Sequence, residues 1–338
     1  MAIVGLIVTG AAGFIGLNFL EKLDEKSYDF IISVDKMGYA TTYNKERYYQ
    51  ICKEKNIYVI NCDINDLSKL NSIEELSTLG WSDIDIIDFA SESHVDNSIA
   101  DPFSIYTQNA SIPANLLAWV GKENWEKIRM YYHISTDEIY SEISLDDVKK
   151  IDKWFTINSP IKPNNPYSAS KAAQDCFLMA MRHTFKIPVK FIRLSNQFGI
   201  YQHIEKMLPA SINRILNKKP VKIYGIGENV RQWTPVGISV SVISDILQNK
   251  IIFDDCIHIA NKDGVYNNNE IIKILSDVMG EFSYNVDVEY VEDRRGHDTA
   301  YALYTEKCVD EYFYNCDINN YVRETVKYYL ERKCKFTH

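Results

Sequence analysis

Short apolar runs rich in β-branched residues alternate along the first two thirds of the chain with longer segments whose apolar residues recur at helical spacing. Ile3 to Val8 is a buried-strand candidate, and Phe14 to Leu23 beyond a glycine turn carries the helical period. Further strand candidates are Ile31 to Val34, ending at Asp35, Tyr58 to Ile60, ending near Asp63, and Ile84 to Phe89, ending at Ala90. Met130 to Ile134 and Val189 to Leu194 follow, the latter after a helix from about Ser168 to His183. This βαβα order predicts an α/β fold with a Rossmann-type, doubly wound parallel sheet covered on both faces. Ligands of such sheets sit at the carboxyl ends of the strands.

After Asn196 the period breaks. Residues up to Pro235 are punctuated by Pro and Gly, and helical and short strand pieces follow. Residues 1–195, with about 236–260 returning to the sheet, are expected to form the dinucleotide-binding domain, and 196–235 with 261–338 a smaller mixed α/β substrate-binding lobe. The stretch from Glu142 to Pro166 is long enough to predict a functional lid or a segment with short helices of its own.

Composition narrows the function. With 37 basic against 46 acidic residues the formal charge is -9, which argues against nucleic-acid binding, since that needs a basic face. An anionic substrate must then be met by local arginines. The run from Ala2 to Leu20 is apolar, but no basic residue precedes it and glycines and Asn18 interrupt it, unlike a secretory signal. No stretch approaches the roughly 18 uninterrupted apolar residues of a membrane span. Seven scattered cysteines, Cys52, Cys62, Cys176, Cys256, Cys308, Cys316 and Cys334, are odd in number and form no close ligand pair, which predicts reduced thiols in a cytoplasmic protein.

Two motifs carry chemistry. Thr9-Gly10-Ala11-Ala12-Gly13-Phe14-Ile15-Gly16 sets glycines between the first strand and first helix. There Gly10 permits a tight turn, Gly13 lets backbone N–H groups reach a pyrophosphate, and Gly16 allows close helix packing. Asp35 ends the second strand about 20 residues later, where a carboxylate takes ribose hydroxyls and repels a 2′-phosphate. This favours NAD over NADP, although Lys36 follows directly. Asp63 is a candidate for the adenine, or equally a turn cap. The second motif is Tyr167 with Lys171, four residues apart on one helical face. A neighbouring ammonium and a positive nicotinamide lower the pKa of a phenol toward that of a working base, and the lysine can also hold the nicotinamide ribose. Such a spacing is common in helices; the upstream dinucleotide motif gives it weight.

With these residues the chain resembles the extended short-chain dehydrogenase/reductases. Ser135-Thr136-Asp137-Glu138-Ile139-Tyr140 is similar to the signature of the dTDP-glucose and UDP-glucose 4,6-dehydratases. Phe89-Ala90-Ser91-Glu92-Ser93-His94-Val95-Asp96, Ser195-Asn196-Gln197-Phe198-Gly199, Glu205-Lys206-Met207-Leu208-Pro209, Ile223-Tyr224-Gly225 and Asp293-Arg294-Arg295-Gly296-His297-Asp298 continue the likeness. The resemblance implies a nucleotide-sugar 4,6-dehydratase whose catalytic residues are Thr136, Asp137, Glu138, Tyr167 and Lys171. In that scheme Tyr167 is the base at O4, Thr136 binds O4, Glu138 takes the C5 proton and Asp137 protonates the departing C6 hydroxyl. NAD would be held by Gly10, Gly13, Phe14, Ile15, Gly16, Asp35, Lys36, Asp63, Ile64, Ala90, Ser91, Tyr167 and Lys171. The nucleotide sugar would meet Ser93, His94, Thr136, Asn196, Lys206, Leu208, Tyr224, Arg231, Arg294 and His297, the arginines suiting its phosphates.

The resemblance also implies a homodimer built on the helices after Ser98 and after Tyr167. A metal at His297-Asp298 is not expected, because no adequate ligand set accompanies it. Ser141, Thr234-Pro235-Val236-Gly237, Arg295 and Ala300 depart from the family pattern on the substrate side. They leave dTDP-glucose, UDP-glucose and UDP-N-acetylglucosamine open, with Glu138 favouring a glucose-type substrate. A nucleotide-sugar 4-epimerase would need the tyrosine but no acid/base pair, and a non-catalytic NAD-binding regulator would need neither.

Overall fold

The computed structural model describes residues 3–71, 80–293 and 296–332. Seven strands form one sheet in the order β10-β6-β5-β4-β1-β2-β3, parallel throughout. They are β1 (Val4–Thr9), β2 (Phe30–Asp35), β3 (Tyr58–Asn61), β4 (Asp83–Asp88), β5 (Ile128–Thr136), β6 (Val189–Leu194) and β10 (Cys256–Ile259). In β1, β2 and β4 five successive residues are buried after the first, the pattern of strands covered on both faces. Strand order reverses at β1 and β4, so a crevice opens beyond their carboxyl ends.

One face is covered by α1 (Phe14–Lys22) and α8 (Val236–Leu247), which pack together. The other is covered by the long pair α5 (Pro102–Val120) and α6 (Pro166–Phe185). Both long helices begin with proline, where a missing N–H costs nothing, after side-chain caps: Asp101 accepts from Ser104 N at 3.2 Å and Asn165 from Ser168 N at 2.9 Å. Between them in sequence lie α2 (Lys45–Glu54), α3 (Leu67–Asn71) and α4 (Val95–Ala100).

The second lobe holds a three-stranded sheet, β11-β9-β7, and a two-stranded one, β12-β8, from β7 (Asn196–Phe198), β8 (Val221–Tyr224), β9 (Val230–Pro235), β11 (Val265–Asn267) and β12 (Val288–Val291). Helices α7 (Met207–Leu216), α9 (Asn268–Glu281) and α11 (Ile318–Glu331) pack around them, with the short α10 (Lys307–Asp310). A single apolar core runs from Leu6 and Leu17 through Ile212 and Leu275 to Tyr329, so the two lobes share one interior. Residues 142–165 lie along the C-terminal segment: Phe155 N bonds Ala302 O at 2.9 Å and Tyr304 N bonds Phe155 O at 2.8 Å. Among the described residues no helix is long and apolar enough to cross a membrane.

Candidate active site

A single cleft at the carboxyl ends of the central strands is lined by both motifs. On its dinucleotide side, Gly10 has a φ of 62° and its N–H bonds Val34 O at 2.9 Å, and a Cβ there would stand 2.7 Å from the backbone of Ala90. A Cβ on Gly16 would stand 2.3 Å from Gly10 O. Both positions therefore exclude any side chain. No side chain caps α1, and its first residues Phe14, Ile15 and Gly16 line the cleft, presenting the positive end of the helix dipole there.

Asp35 is buried at the end of β2, where its carboxylate accepts from Ala12 N at 3.0 Å and Met37 N at 2.7 Å. Burial nonetheless pushes its pKa up. Lys36, Asp63, Ile64, Ala90 and Ser91 line the same wall. Asp63 accepts from Asn65 N at 2.9 Å, the local turn that its sequence context suggests. A helix terminus open to an anion, a cradle that a Cβ would fill, and a carboxylate with lone pairs to spare fit an adenine dinucleotide.

On the chemical side, β5 ends at Thr136 and one 3-10 turn, Asp137–Ile139, follows. Thr136 Oγ1 accepts from Glu138 N at 3.4 Å and donates to Asp137 Oδ1 at 3.1 Å. Asp137 is only 1% exposed, and burial, reinforced by Glu138, pushes its carboxyl up to about 7. Asn165, the cap of α6, donates from Nδ2 to Glu138 Oε2 at 3.3 Å. Tyr167 and Lys171 occupy the first turns of α6, both buried. Burial, Glu138 and Asp137 push the Tyr167 phenol up, and a hydrogen bond with Thr136 opposes them. Burial is the chief cause, ahead of the two carboxylates, and the positive nicotinamide of the sequence expectation would act against both; Lys171 Nζ donates to Ile134 O at 2.8 Å.

The remaining positions separate into two groups. Ser93, Asn196 and Lys206 line the cleft with Thr136, Lys206 Nζ donating to Ser93 O at 2.6 Å. His94 stands just behind, 4.0 Å from Glu205. Leu208 is fully buried in the core, so its side chain is turned away from the cleft. Arg231 is buried beside the Tyr301 ring and donates to Val230 O at 2.8 Å and Asp298 O at 2.9 Å. Its charge partly offsets the upward push of burial and Glu138 on the Asp137 carboxyl. Tyr224 and His297 meet edge to face at 6.3 Å, and His297 Nδ1 lies 2.7 Å from Asp293. Arg294 lies outside the described residues. None of Leu208, Tyr224, Arg231 and His297 lines the cleft.

The chain is similar to known proteins. The family model for GDP-mannose 4,6 dehydratase matches residues 7–321. The chain belongs to this family. It is 30% identical to a dTDP-glucose 4,6-dehydratase of Haemophilus influenzae, over 97% of this chain and 98% of that protein. A dTDP-glucose 4,6-dehydratase of Mycobacterium tuberculosis is 31% identical, over 97% and 94%. Among solved structures, a dTDP-glucose 4,6-dehydratase from Streptomyces venezuelae with NAD bound superposes with a TM-score of 0.83 at 31% identity, covering 98% of this chain and 99% of that one. The family match spans the glycine turn, the turn after β5 and α6 alike.

Some groups at the site escape sequence reasoning. Asn165 positions Glu138 as well as capping α6; its signal was the Asn-Pro pair that opens a helix. At the mouth, Tyr39 donates to Glu92 Oε1 at 2.8 Å and to Glu205 Oε1 at 3.4 Å, and accepts from Asn97 at 3.0 Å. His203 lies 3.4 Å from Glu205. This junction of the β2 loop with the second lobe has no local motif.

Proposed function

We propose that this chain is a hydro-lyase that converts a nucleoside-diphosphate hexose to its 4-keto-6-deoxy derivative, with dTDP-glucose as the leading substrate. The single observation that carries the reading is the Asp137-Glu138 pair held against Thr136 and Tyr167 in the dinucleotide cleft. NAD would be held by the glycine turn and Asp35, and would supply the acceptor for the C4 hydride and its return to C6. The names of the dehydratase relatives support glucose bound to dTDP, and Glu138 supports a glucose-type sugar.

The residues divide the work as follows. Burial and the two carboxylates favour the neutral phenol, and the positive nicotinamide with Lys171 would favour the Tyr167 phenolate that accepts the O4 proton as C4 becomes a ketone, with Thr136 hydrogen-bonding O4. The ketone acidifies C5–H, and Glu138, oriented by Asn165, removes that proton. Asp137 gives its proton to the C6 hydroxyl as water leaves; a carboxyl pushed up to about 7 holds that proton near neutrality. As hydride returns to C6 and makes it a methyl group, Glu138 gives its proton back to C5, while the Tyr167 proton passes to solvent and Asp137 takes one up, which restores the starting state. Lys171 holds the cofactor ribose and keeps positive charge behind the phenol.

Asn196 is assigned to the phosphate next to the sugar, Arg231 and Arg294 to the phosphates or nucleotide, and Lys206 and Leu208 to the nucleotide pocket, with Leu208 acting through its backbone. Ser93, His94, Tyr224 and His297 are assigned to the substrate without a finer role. The enzyme is assigned to the cytoplasm and to a homodimer through α5 and α6. On α5, Phe103 is 85% exposed and Tyr106 43%, apolar surface that a second copy would cover; light scattering gives the stoichiometry. Incubation with dTDP-glucose, UDP-glucose and UDP-N-acetylglucosamine tests the activity. A product lighter by one water supports the reading, and unchanged mass with inversion at C4 identifies an epimerase instead.

A further inference from the structure

Behind Lys171 a row of buried ionisable groups crosses three adjacent strands, and none of them has a part in the chemistry above. Asp88 ends β4, His133 is its register partner in β5, and Arg193 lies on β6. Asp175 stands on α6 one turn beyond Lys171. His133 is wholly buried between two carboxylates, its Nδ1 3.6 Å from Asp88 and its Nε2 3.3 Å from Asp175. Asp175 is closed on its far side by Arg193, at 3.0 and 3.2 Å. Arg193 goes on to Tyr140, whose hydroxyl is 2.7 Å from His258 Nε2. Asp88 accepts from Tyr131 OH at 2.9 Å and from Thr9 at the start of the glycine turn.

Charges are expensive this deep, and an isolated pair of carboxylates would take up protons instead. Here both are held low despite their burial, by His133 in each case, and by Lys171 at Asp88 and Arg193 at Asp175. The residue next to His133 in β5, Ile134, receives the Lys171 ammonium on its carbonyl. One short stretch of β5 therefore spaces the two carboxylates and anchors the lysine.

We propose that Asp88 and Asp175, bridged by His133, are positioning residues that keep Lys171 cationic and fixed beneath Tyr167. Burial alone drives an ammonium toward its neutral form, and these two carboxylates are the groups opposing that drive at Lys171. Without them the lysine would lose its charge, and with it the favourable potential felt by the Tyr167 phenolate during C4 oxidation. Neither carboxylate touches substrate in this account; both act through Lys171.

The proposal rests on the dehydratase reading for its effect on turnover, and its decisive test does not. A double-mutant cycle combines Asp88→Asn with Lys171→Met, both read by urea unfolding midpoints at pH 7.5. Asp88→Asn lowers the midpoint in the native background, where it strands a buried cation. In the Lys171→Met background the same change lowers the midpoint less, the remaining loss coming from the Tyr131, Thr9 and His133 contacts of Asp88. Equal losses in both backgrounds overturn the proposal. If Asp88→Asn fails to fold, Asp175→Asn replaces it in the cycle with the same expectations. In turnover, Asp88→Asn lowers kcat by roughly tenfold, the worth of one pKa unit, while KM stays within about twofold. An unchanged kcat, or a loss confined to KM, also overturns it. Wild-type protein that dehydrates no nucleotide sugar sinks the dehydratase reading and leaves the unfolding cycle readable.

Discussion

Replacing Asp137 with asparagine should make the protein more stable in alkaline solution while removing its activity. Asp137 is buried, and its carboxyl stands at about 7 against an ordinary 3.8, chiefly through burial and then through Glu138. Between those two values the folded state holds a proton that the unfolded chain has lost. Stability changes with pH in proportion to the protons bound unfolded minus those bound folded, which is negative here. The wild type therefore loses stability as pH rises from about 4 to 7, and the loss is complete above that window. At about 1.36 kcal/mol per pH unit the ceiling is roughly 4 kcal/mol, of which about 3 kcal/mol falls between pH 5 and pH 8. Asparagine has nearly the same shape and never ionises. Urea unfolding at both pH values, extrapolated linearly to water, should show the variant gaining on the wild type by about 1–3 kcal/mol from pH 5 to pH 8. Its dehydration should fall by about 10²-fold or more. A stability difference that does not vary with pH would refute the buried, proton-holding acid. In the wild type the elimination step should weaken as pH climbs through about 7.

Three further changes test other parts of the site. Tyr167→Phe should lose turnover by about 10²–10⁴-fold with the fold and dinucleotide binding intact, checked by steady-state kinetics and calorimetry. Gly16→Ala places a Cβ 2.3 Å from Gly10 O and should yield protein purified without dinucleotide, read by absorbance after denaturation. Ser141 follows the catalytic turn with a φ of 105°, a conformation that costs a non-glycine residue about 1–3 kcal/mol. Ser141→Gly should raise stability by roughly 1 kcal/mol after the greater entropy of unfolded glycine is subtracted, measured by thermal unfolding.

The central sheet and the two motifs were legible because both are local. Apolar runs such as Ile3 to Val8 identify strands buried on both faces, and the glycines from Gly10 to Gly16 record a turn that admits no Cβ. The five catalytic candidates also meet, since Thr136, Asp137 and Glu138 leave β5 where Tyr167 and Lys171 enter α6. The substrate side was less legible. Leu208 occupies a position whose side chain the amphipathic face of α7 consumes in the core. The guanidinium of Arg231 bonds the backbone of residues 298 and 230, a partnership set by how the C-terminal segment returns and recorded by no spacing along the chain. The Asp88–His133–Asp175 row depends on the register of three strands and one helix, which no spacing along the chain records.

The most direct test follows one atom through the reaction. dTDP-glucose carrying deuterium at C4 is incubated with the enzyme and the product read by mass and nuclear magnetic resonance. Dehydration with internal hydride return predicts a product lighter by one water with the deuterium at C6. A product of unchanged mass, inverted at C4 and still labelled there, would contradict the account.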